Sequence, residues 1–269
     1  MRIVTLLSDF GGRDQYVAEM KGTVLTICPW AVVVDISHEI EKFNVRTGAF
    51  VLAAASRYFP AGTVHVAVVD PGVGGPRRDL LIETRQAVYI GPDNGILLPA
   101  ALRDGIKQAY SIENQDFMRL PVSPTFHGRD VFAYTAGRIA CGAEPCEVGP
   151  SVSDTVSAAF SEAVASRGRI ACEVLAIDSF GNMVTNSGER DLGKAGIEVG
   201  EKITMKAKGR IHKLDVVRSY SDAVHGKAVL LVGGHGFLEV AINQGNAASR
   251  FGMRSGDRLM LLSVRGYRS

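Results

Sequence analysis

Three short runs of Val, Ile and Leu, separated by two helix-length stretches, open this 269-residue chain. Arg2–Leu7, Ala31–Ile36 and Thr63–Val69 have the length of strands, and their near-continuous apolar character marks strands buried on both faces. Between them, Asp14–Cys28 and Asn44–Phe59 carry helical spacing. Pro29 and Pro60 stop these helices, because proline has no N–H to continue one. The order strand, helix, strand, helix, strand implies a parallel sheet with right-handed crossovers. Leu80–Ile82 adds a further strand, and Arg129–Ala140 a further helix ended by Gly142.

The pattern does not last. All ten prolines fall between Pro29 and Pro150, and charge shifts at the same point, from 14 Lys/Arg against 16 Asp/Glu up to residue 150 to 16 against 12 beyond it. Residues 1–150 therefore read as an N-terminal α/β domain with a mainly parallel central sheet, 151–168 as a small, polar linker, and 169–269 as a second domain. In that domain Ile170–Ile177, Lys202–Met205, Ile211–Leu214, Ala228–Val232, Phe237–Ala241 and Leu259–Val264 are separated by Gly and Asn turns, which predicts a small β-barrel or sandwich.

With 46% hydrophobic and 22% charged residues the chain is neither disordered nor fibrous, and no apolar run reaches the roughly 18 residues of a membrane span. The start reads as a first strand rather than a signal peptide, so a cytoplasmic location is expected. A net charge of +2 argues against nucleic acid as partner. Cys28, Cys141, Cys146 and Cys172 form no CxxC pair, so they read as buried thiols rather than a zinc or disulfide framework.

In open α/β sheets ligands bind beyond the carboxyl ends of the strands, and three strands here run into Asp9, Asp35 and Asp70. Helix capping, turn formation or metal binding each accounts for such a carboxylate, but no His or Glu stands beside them at ligand spacing. The segment Asp70-Pro-Gly-Val-Gly-Gly-Pro-Arg77 lacks the third glycine and following helix of a dinucleotide loop. It offers instead a rigid loop with a carboxylate at one end and Arg77 and Arg78 at the other. His127, in Pro-Thr-Phe-His-Gly-Arg-Asp just before a helix, is either structural or a proton-transfer group; if Asp70, Arg77 and His127 converge, they can hold and polarise a water. Beyond residue 169, Asp178-Ser-Phe180-Gly-Asn182 and Gly233-Gly-His235-Gly are polar turns that follow strands.

Together SDFG, VVDPGVGG, GPDNG, TFHGRD, IDSFGN and FLEVAINQGNAA resemble the S-adenosylmethionine hydrolases (adenosine-forming), relatives of the fluorinase and chlorinase halogenases. The resemblance spans nearly the whole chain. It implies an α/β domain followed by a β-barrel, and usually a homotrimer with each active site between one subunit's N-domain and its neighbour's C-domain. It also implies cleavage of S-adenosyl-L-methionine to adenosine and L-methionine, with no cofactor, metal, nucleic acid or membrane. By motif position the catalytic set is Asp70, Arg77 and His127, and the halogenases carry tyrosine at the position of Asp70. Asp9 is expected at the ribose hydroxyls, Phe43 against the substrate, Asp178 at the methionine ammonium and Asn182 at the adenine edge. Phe180 or Tyr220 is expected to flank the adenine ring. His235, or backbone N–H groups, is expected at the methionine carboxylate, where relatives often have other residues. The rival functions are a halogenase of the same family and an RNA-binding module on the mildly basic barrel; an excess of only four positive charges beyond residue 150 and few aromatics weigh against the second.

Overall fold

In the computed structural model, which describes residues 2–157 and 161–264, the first apolar run lies inside a sheet rather than at its edge. The chain divides into two compact units, Met1–Ala159 and Phe160–Ser269. Residues 158–160 of the expected linker and 265–269 of the expected second domain lie outside the described residues.

The first unit runs β1 (Ile3–Ser8), α1 (Tyr16–Ile27), β2 (Val32–Ser37), α2 (Val45–Ser56), β3 (Val64–Val68), β4 (Asp79–Thr84), β5 (Val88–Pro92), α3 (Leu98–Asp104), β6 (Ile106–Ser111), α4 (Tyr134–Ala140) and β7 (Ser151–Val152). Its sheet has the order β2-β1-β3-β5-β4-β6-β7. β1 is parallel to both neighbours, with Val4 opposite Val33 on one side and Val64 on the other, and β3 is parallel to β5. β4 runs antiparallel to β5 and β6. Val4, Leu6, Val64, Val66 and Val68 form the core with Met20 and Val24 of α1 and Phe132. α2 starts where expected because the Asn44 side chain accepts a hydrogen bond from the Thr47 N–H at 3.0 Å.

The second unit runs β8 (Val164–Ser166), β9 (Arg169–Ile177), β10 (Met183–Gly188), α5 (Glu189–Ala195), β11 (Lys202–Ala207), β12 (Arg210–Val216), β13 (Ala228–Val232), β14 (Phe237–Ile242), α6 (Ala247–Phe251) and β15 (Arg258–Ser263). Seven strands follow one another in the order β10-β14-β13-β12-β11-β15-β9, and β9 pairs again with β10, so the sheet closes on itself. Ile170, Val174, Ile203, Met205, Leu214, Leu230, Val240 and Leu261 fill the interior. Closure leaves these strands without free edges. The α/β-plus-barrel class expected from the sequence is the one observed, and the barrel form of the second unit is settled by β10.

Two expectations need correction. Asp35 does not sit beyond the end of its strand: it lies within β2, exposed, at 2.6 Å from Lys21 Nζ and 3.1 Å from His38 Nε2. Those partners hold its carboxyl below the usual range against the opposing effect of partial burial. Of the four thiols only Cys28 and Cys172 are buried, while Cys141 and Cys146 are exposed. Burial pushes Cys172 up to about 12, which makes it an inert core group.

Candidate active site

Asp70 lies two residues beyond the end of β3 in a loop that turns back to β4. It accepts two hydrogen bonds from Arg77, from Nε at 3.1 Å and Nη2 at 2.5 Å. The third arm of that guanidinium, Nη1, donates to Asp79, the first residue of β4. Asp79 in turn accepts from His127 Nδ1, with its two oxygens at 2.9 and 3.1 Å. The four side chains thus form one chain in the order Asp70, Arg77, Asp79, His127. All are largely shielded from solvent, with side-chain exposures of 5, 11, 12 and 15% in that order. Burial disfavours the charged guanidinium, but Asp70 and Asp79 more than offset it, so Arg77 is held still more firmly protonated than usual. Its guanidinium also lies 5.6 Å from the centre of the Phe132 ring.

The structure therefore brings Asp70, Arg77 and His127 together, but through a residue the sequence reading passed over. The imidazole is held by Asp79 and not by Asp70. The sequence contained a signal: Arg77 and Asp79 stand two apart where a strand begins, and residues two apart on a strand share a face.

The glycines of this loop have a packing reason. A Cβ on Gly74, whose φ is +73°, would stand 2.3 Å from the carbonyl oxygen of Pro124. Close backbone contact seats the Asp70 loop against the loop carrying His127, and only glycine permits it. The His127 loop is fixed from beneath by Asp130, fully buried, whose Oδ2 accepts from the Ser123 N–H at 2.9 Å and from Arg129 Nη2 at 2.8 Å. Arg129 extends to Glu19 of α1 at 2.7 Å and lies over Phe126. Directly after His127, residues Gly128–Ala133 form a wide π turn before α4, a distortion that recurs at functional sites.

Asp9, Tyr16, Phe43, Asp70, Phe126 and His127 line a cleft of about 380 Å³. Asp9 is buried, and its Oδ2 accepts from the Phe43 N–H at 2.8 Å. That bond holds Phe43 at φ +65°, a conformation rare outside glycine, with its ring exposed. Phe10, Tyr16 and Phe126 meet as an aromatic trio with centroids 5.2–5.8 Å apart. A larger groove of about 710 Å³ lies on the wall of the barrel around Lys206, Arg210 and Arg258, and none of these groups line it.

In the second unit Asp178, Asn182 and Tyr220 also come together. Asp178 accepts from the N–H groups of Phe180 and Asn182 and from Asn182 Nδ2, at 2.8–3.0 Å, bonds that shape the polar turn expected there. Asn182 Nδ2 lies 3.5 Å from the Tyr220 hydroxyl, which donates to Glu239 at 2.7 Å. Burial and that bond to Glu239 raise the Tyr220 hydroxyl above its ordinary range. Glu239 is the second polar group the sequence reading did not select. A Cβ on Gly181, at φ +84°, would collide with Asn246 at 2.1 Å, which explains the glycine of IDSFGN and ties it to the start of α6. Phe180 projects into solvent beside this cluster, and His235 stands exposed in the turn between β13 and β14, outside it. Among the described residues no group of three His, Cys, Asp or Glu side chains is arranged to hold a metal ion, and no helix is long and apolar enough to cross a membrane.

A mixed sheet, parallel through β2, β1, β3 and β5, with a largely shielded carboxylate–guanidinium–carboxylate–imidazole chain past the end of β3 and at the start of β4, followed by a closed barrel, defines a two-unit α/β protein equipped to bind and polarise a small molecule or a water. Comparison with known proteins makes this specific. Residues 4–149 match the N-terminal domain of the SAM hydroxide adenosyltransferases and residues 172–260 the C-terminal domain, and the chain belongs to that family. It is 36% identical to the (R)-S-adenosyl-L-methionine hydrolase of Thermus thermophilus, over 97% of this chain and all of the relative. It is 35% identical to the protein of the same name from Salinispora tropica, over 95% and 96%. Proteins named fluorinase match at 27–29% identity. A crystal structure of an uncharacterized conserved protein from Thermotoga maritima superposes with a TM-score of 0.92 at 31% identity, covering 96% of this chain and 99% of that one.

Proposed function

We propose that this protein hydrolyses S-adenosyl-L-methionine to adenosine and L-methionine. Water attacks the ribose C5′, the C5′–O bond forms, and the C5′–S bond breaks with its electron pair passing to sulfur. The sulfonium becomes a neutral thioether, and the water's proton passes to His127 and then to solvent. The observation that carries the reading is the largely shielded chain from Asp70 to His127 at the edge of a cleft lined by Asp9 and Phe43. Positive charge at sulfur disappears along this reaction, so shielding from water favours it. Orienting one water supplies several kcal/mol, and proton transfer in the transition state about 3–5 kcal/mol more.

Asp70 and Arg77 hold one another and define the polar end of the cleft, and His127 takes the proton. Asp9 has one oxygen engaged by the Phe43 N–H and the other for the ribose hydroxyls, while Phe43 packs on the substrate. In the second unit Asp178 receives the methionine ammonium and Asn182 the adenine edge, Phe180 or Tyr220 flanks the ring, and His235 or backbone N–H groups meet the methionine carboxylate. S-Adenosyl-L-methionine is the substrate and no cofactor enters. The working form is a cytoplasmic homotrimer, which sedimentation of the purified protein tests.

Incubation of the purified protein with S-adenosyl-L-methionine and chromatography of the products test the reaction. Adenosine and methionine are expected, and their absence would overturn it; a 5′-chloro nucleoside in chloride would point to the halogenase activity instead. Asp70→Ala and His127→Ala are expected to slow turnover while leaving product affinity largely intact. Normal rates in both would refute the assignment of these residues.

A further inference from the structure

We infer that Asp79 is the positioning residue of this site: it fixes His127 in the tautomer that carries its proton on Nδ1 and leaves Nε2 bare for the attacking water. The inference rests on the hydrolase reading for its consequence, though not for its geometry. A carboxylate can only accept, so the atom bonded to Asp79 at 2.9 and 3.1 Å must be an N–H. Nε2 is then the ring's only lone-pair nitrogen, on a residue that lines the cleft. Asp70 is turned to another partner, its two oxygens accepting from Arg77 Nε and Nη2, while the His127 ring bonds to Asp79.

Asp79 is well held for the task. It opens β4 opposite Pro92 of β5, and its own carbonyl accepts from the Ile112 N–H at 2.8 Å. A strand-borne carboxylate holds a partner more narrowly than a loop-borne one. Arg77 Nη1 bonds the same carboxylate and keeps it from turning away. Phe132 closes the other side, its ring centre 6.5 Å from that of His127 in an edge contact. The loop bearing His127 can therefore vary little in the direction its imidazole presents. A carboxylate that orients an imidazole and selects its tautomer is worth several decades of rate where it has been measured in serine proteases.

The experiment is a long-range ¹H–¹⁵N spectrum of the imidazole nitrogens, recorded at neutral pH on the full chain and on Asp79→Asn and Asp79→Glu, with His127→Gln used to assign the signals. Each protein is also assayed for hydrolysis of S-adenosyl-L-methionine. The expected result for the unsubstituted protein is a protonated Nδ1 and a bare Nε2. Asp79→Asn, whose amide can donate, is expected to move His127 toward the Nε2-protonated form. It should lower kcat about 10²-fold or more with KM changed less than about threefold, and Asp79→Glu should recover part of the loss. An Nε2-protonated His127 in the unsubstituted protein overturns the inference, and this measurement needs no variant to fold. So does an Asp79→Asn protein that keeps both its tautomer and its kcat. If the unsubstituted protein releases no adenosine, the hydrolase reading fails, while the spectra still decide whether Asp79 governs His127.

Discussion

Replacing Gly74 by alanine should separate two costs that are usually confounded. The first is backbone strain: an alanine at φ +73° sits in the left-handed region, which costs roughly 1–2 kcal/mol. The second is displacement. The new Cβ would lie 2.3 Å from the Pro124 oxygen, and side-chain Cβ atoms essentially never approach closer than 3.0 Å, so one loop must retreat by at least 0.7 Å, the difference between the two. Pro124 is three residues before His127 and Gly74 three before Arg77, so the retreat separates the two loops that carry the reacting groups. A misplacement near 1 Å costs on the order of 10²-fold in rate, and a 10- to 100-fold fall in kcat is expected. Gly62→Ala is the control, because Gly62 has φ +82° with nothing within 4 Å of the added Cβ and bears strain without collision. Urea unfolding and initial rates of adenosine release are measured on both variants. Gly62→Ala should lose about 1–2 kcal/mol of stability and Gly74→Ala about 1–3 kcal/mol more, and Gly74→Ala alone should lose turnover. If Gly74→Ala works at the normal rate, or if the two variants lose activity equally, the contact between the loops does not set the geometry of the site.

Two further outcomes concern what holds the first unit together. Asp130→Ala removes a fully buried carboxylate, leaves the Ser123 N–H without its acceptor and leaves Arg129 with Glu19 alone, so a loss of about 2–3 kcal/mol is expected in urea unfolding; a loss below about 1 kcal/mol would mean the His127 loop is held by other contacts. His65, buried in β3 with Nδ1 at 2.7 Å from Thr5 and its ring stacked on Tyr89, is lowered by burial from 6.5 to about 4. The unfolded chain therefore binds a proton between those values that the folded chain refuses. The contribution is complete above pH 6.5 and is lost as pH falls through about 4, a change of about 3 kcal/mol. His65→Gln should abolish that part of the pH dependence of the urea midpoint, and an unchanged slope would assign it to other groups.

What the sequence disclosed and what it concealed follow from the same physics. β1 and β3 were legible because a strand covered on both faces must be apolar throughout; β2 was found from Val32–Val34 alone, and the expectation that it is buried on both faces fails, because it is the half-buried edge strand and carries the exposed Asp35. β10 was not, because Met183–Gly188 reads as polar: Thr185 and Ser187 are fully buried yet satisfied, the first donating to the Leu238 carbonyl at 2.9 Å and the second to Asp191 at 3.1 Å. A strand that meets its needs by hydrogen bonding looks like a loop to hydrophobic patterning, and here it is the one that closes the barrel. α5 and α6, of seven and five residues, are too short to show a helical period. Asp79 and Glu239 escaped for another reason. The spacing of Arg77 and Asp79 hints at their own pairing, but the contacts with His127 and Tyr220, 48 and 19 residues away, are announced by no local spacing.

The arrangement of charge in the site also bears on when the proton moves. With their ordinary formal charges, Asp70, Asp79 and Arg77 together carry one net negative charge beside the His127 imidazole. Free hydroxide would be repelled by that excess, whereas a sulfonium substrate is attracted by it. In the proposed reaction positive charge vanishes from sulfur while it appears on the imidazole as the water gives up its proton. The total positive charge facing the two carboxylates therefore stays constant, and what changes is its position, from the substrate to an imidazolium with Asp79 at 2.9 Å. Such a site gains nothing by making hydroxide early. It is best matched to a proton transfer that keeps pace with C–S cleavage, with the counter-ion for the final imidazolium already in place before the substrate arrives.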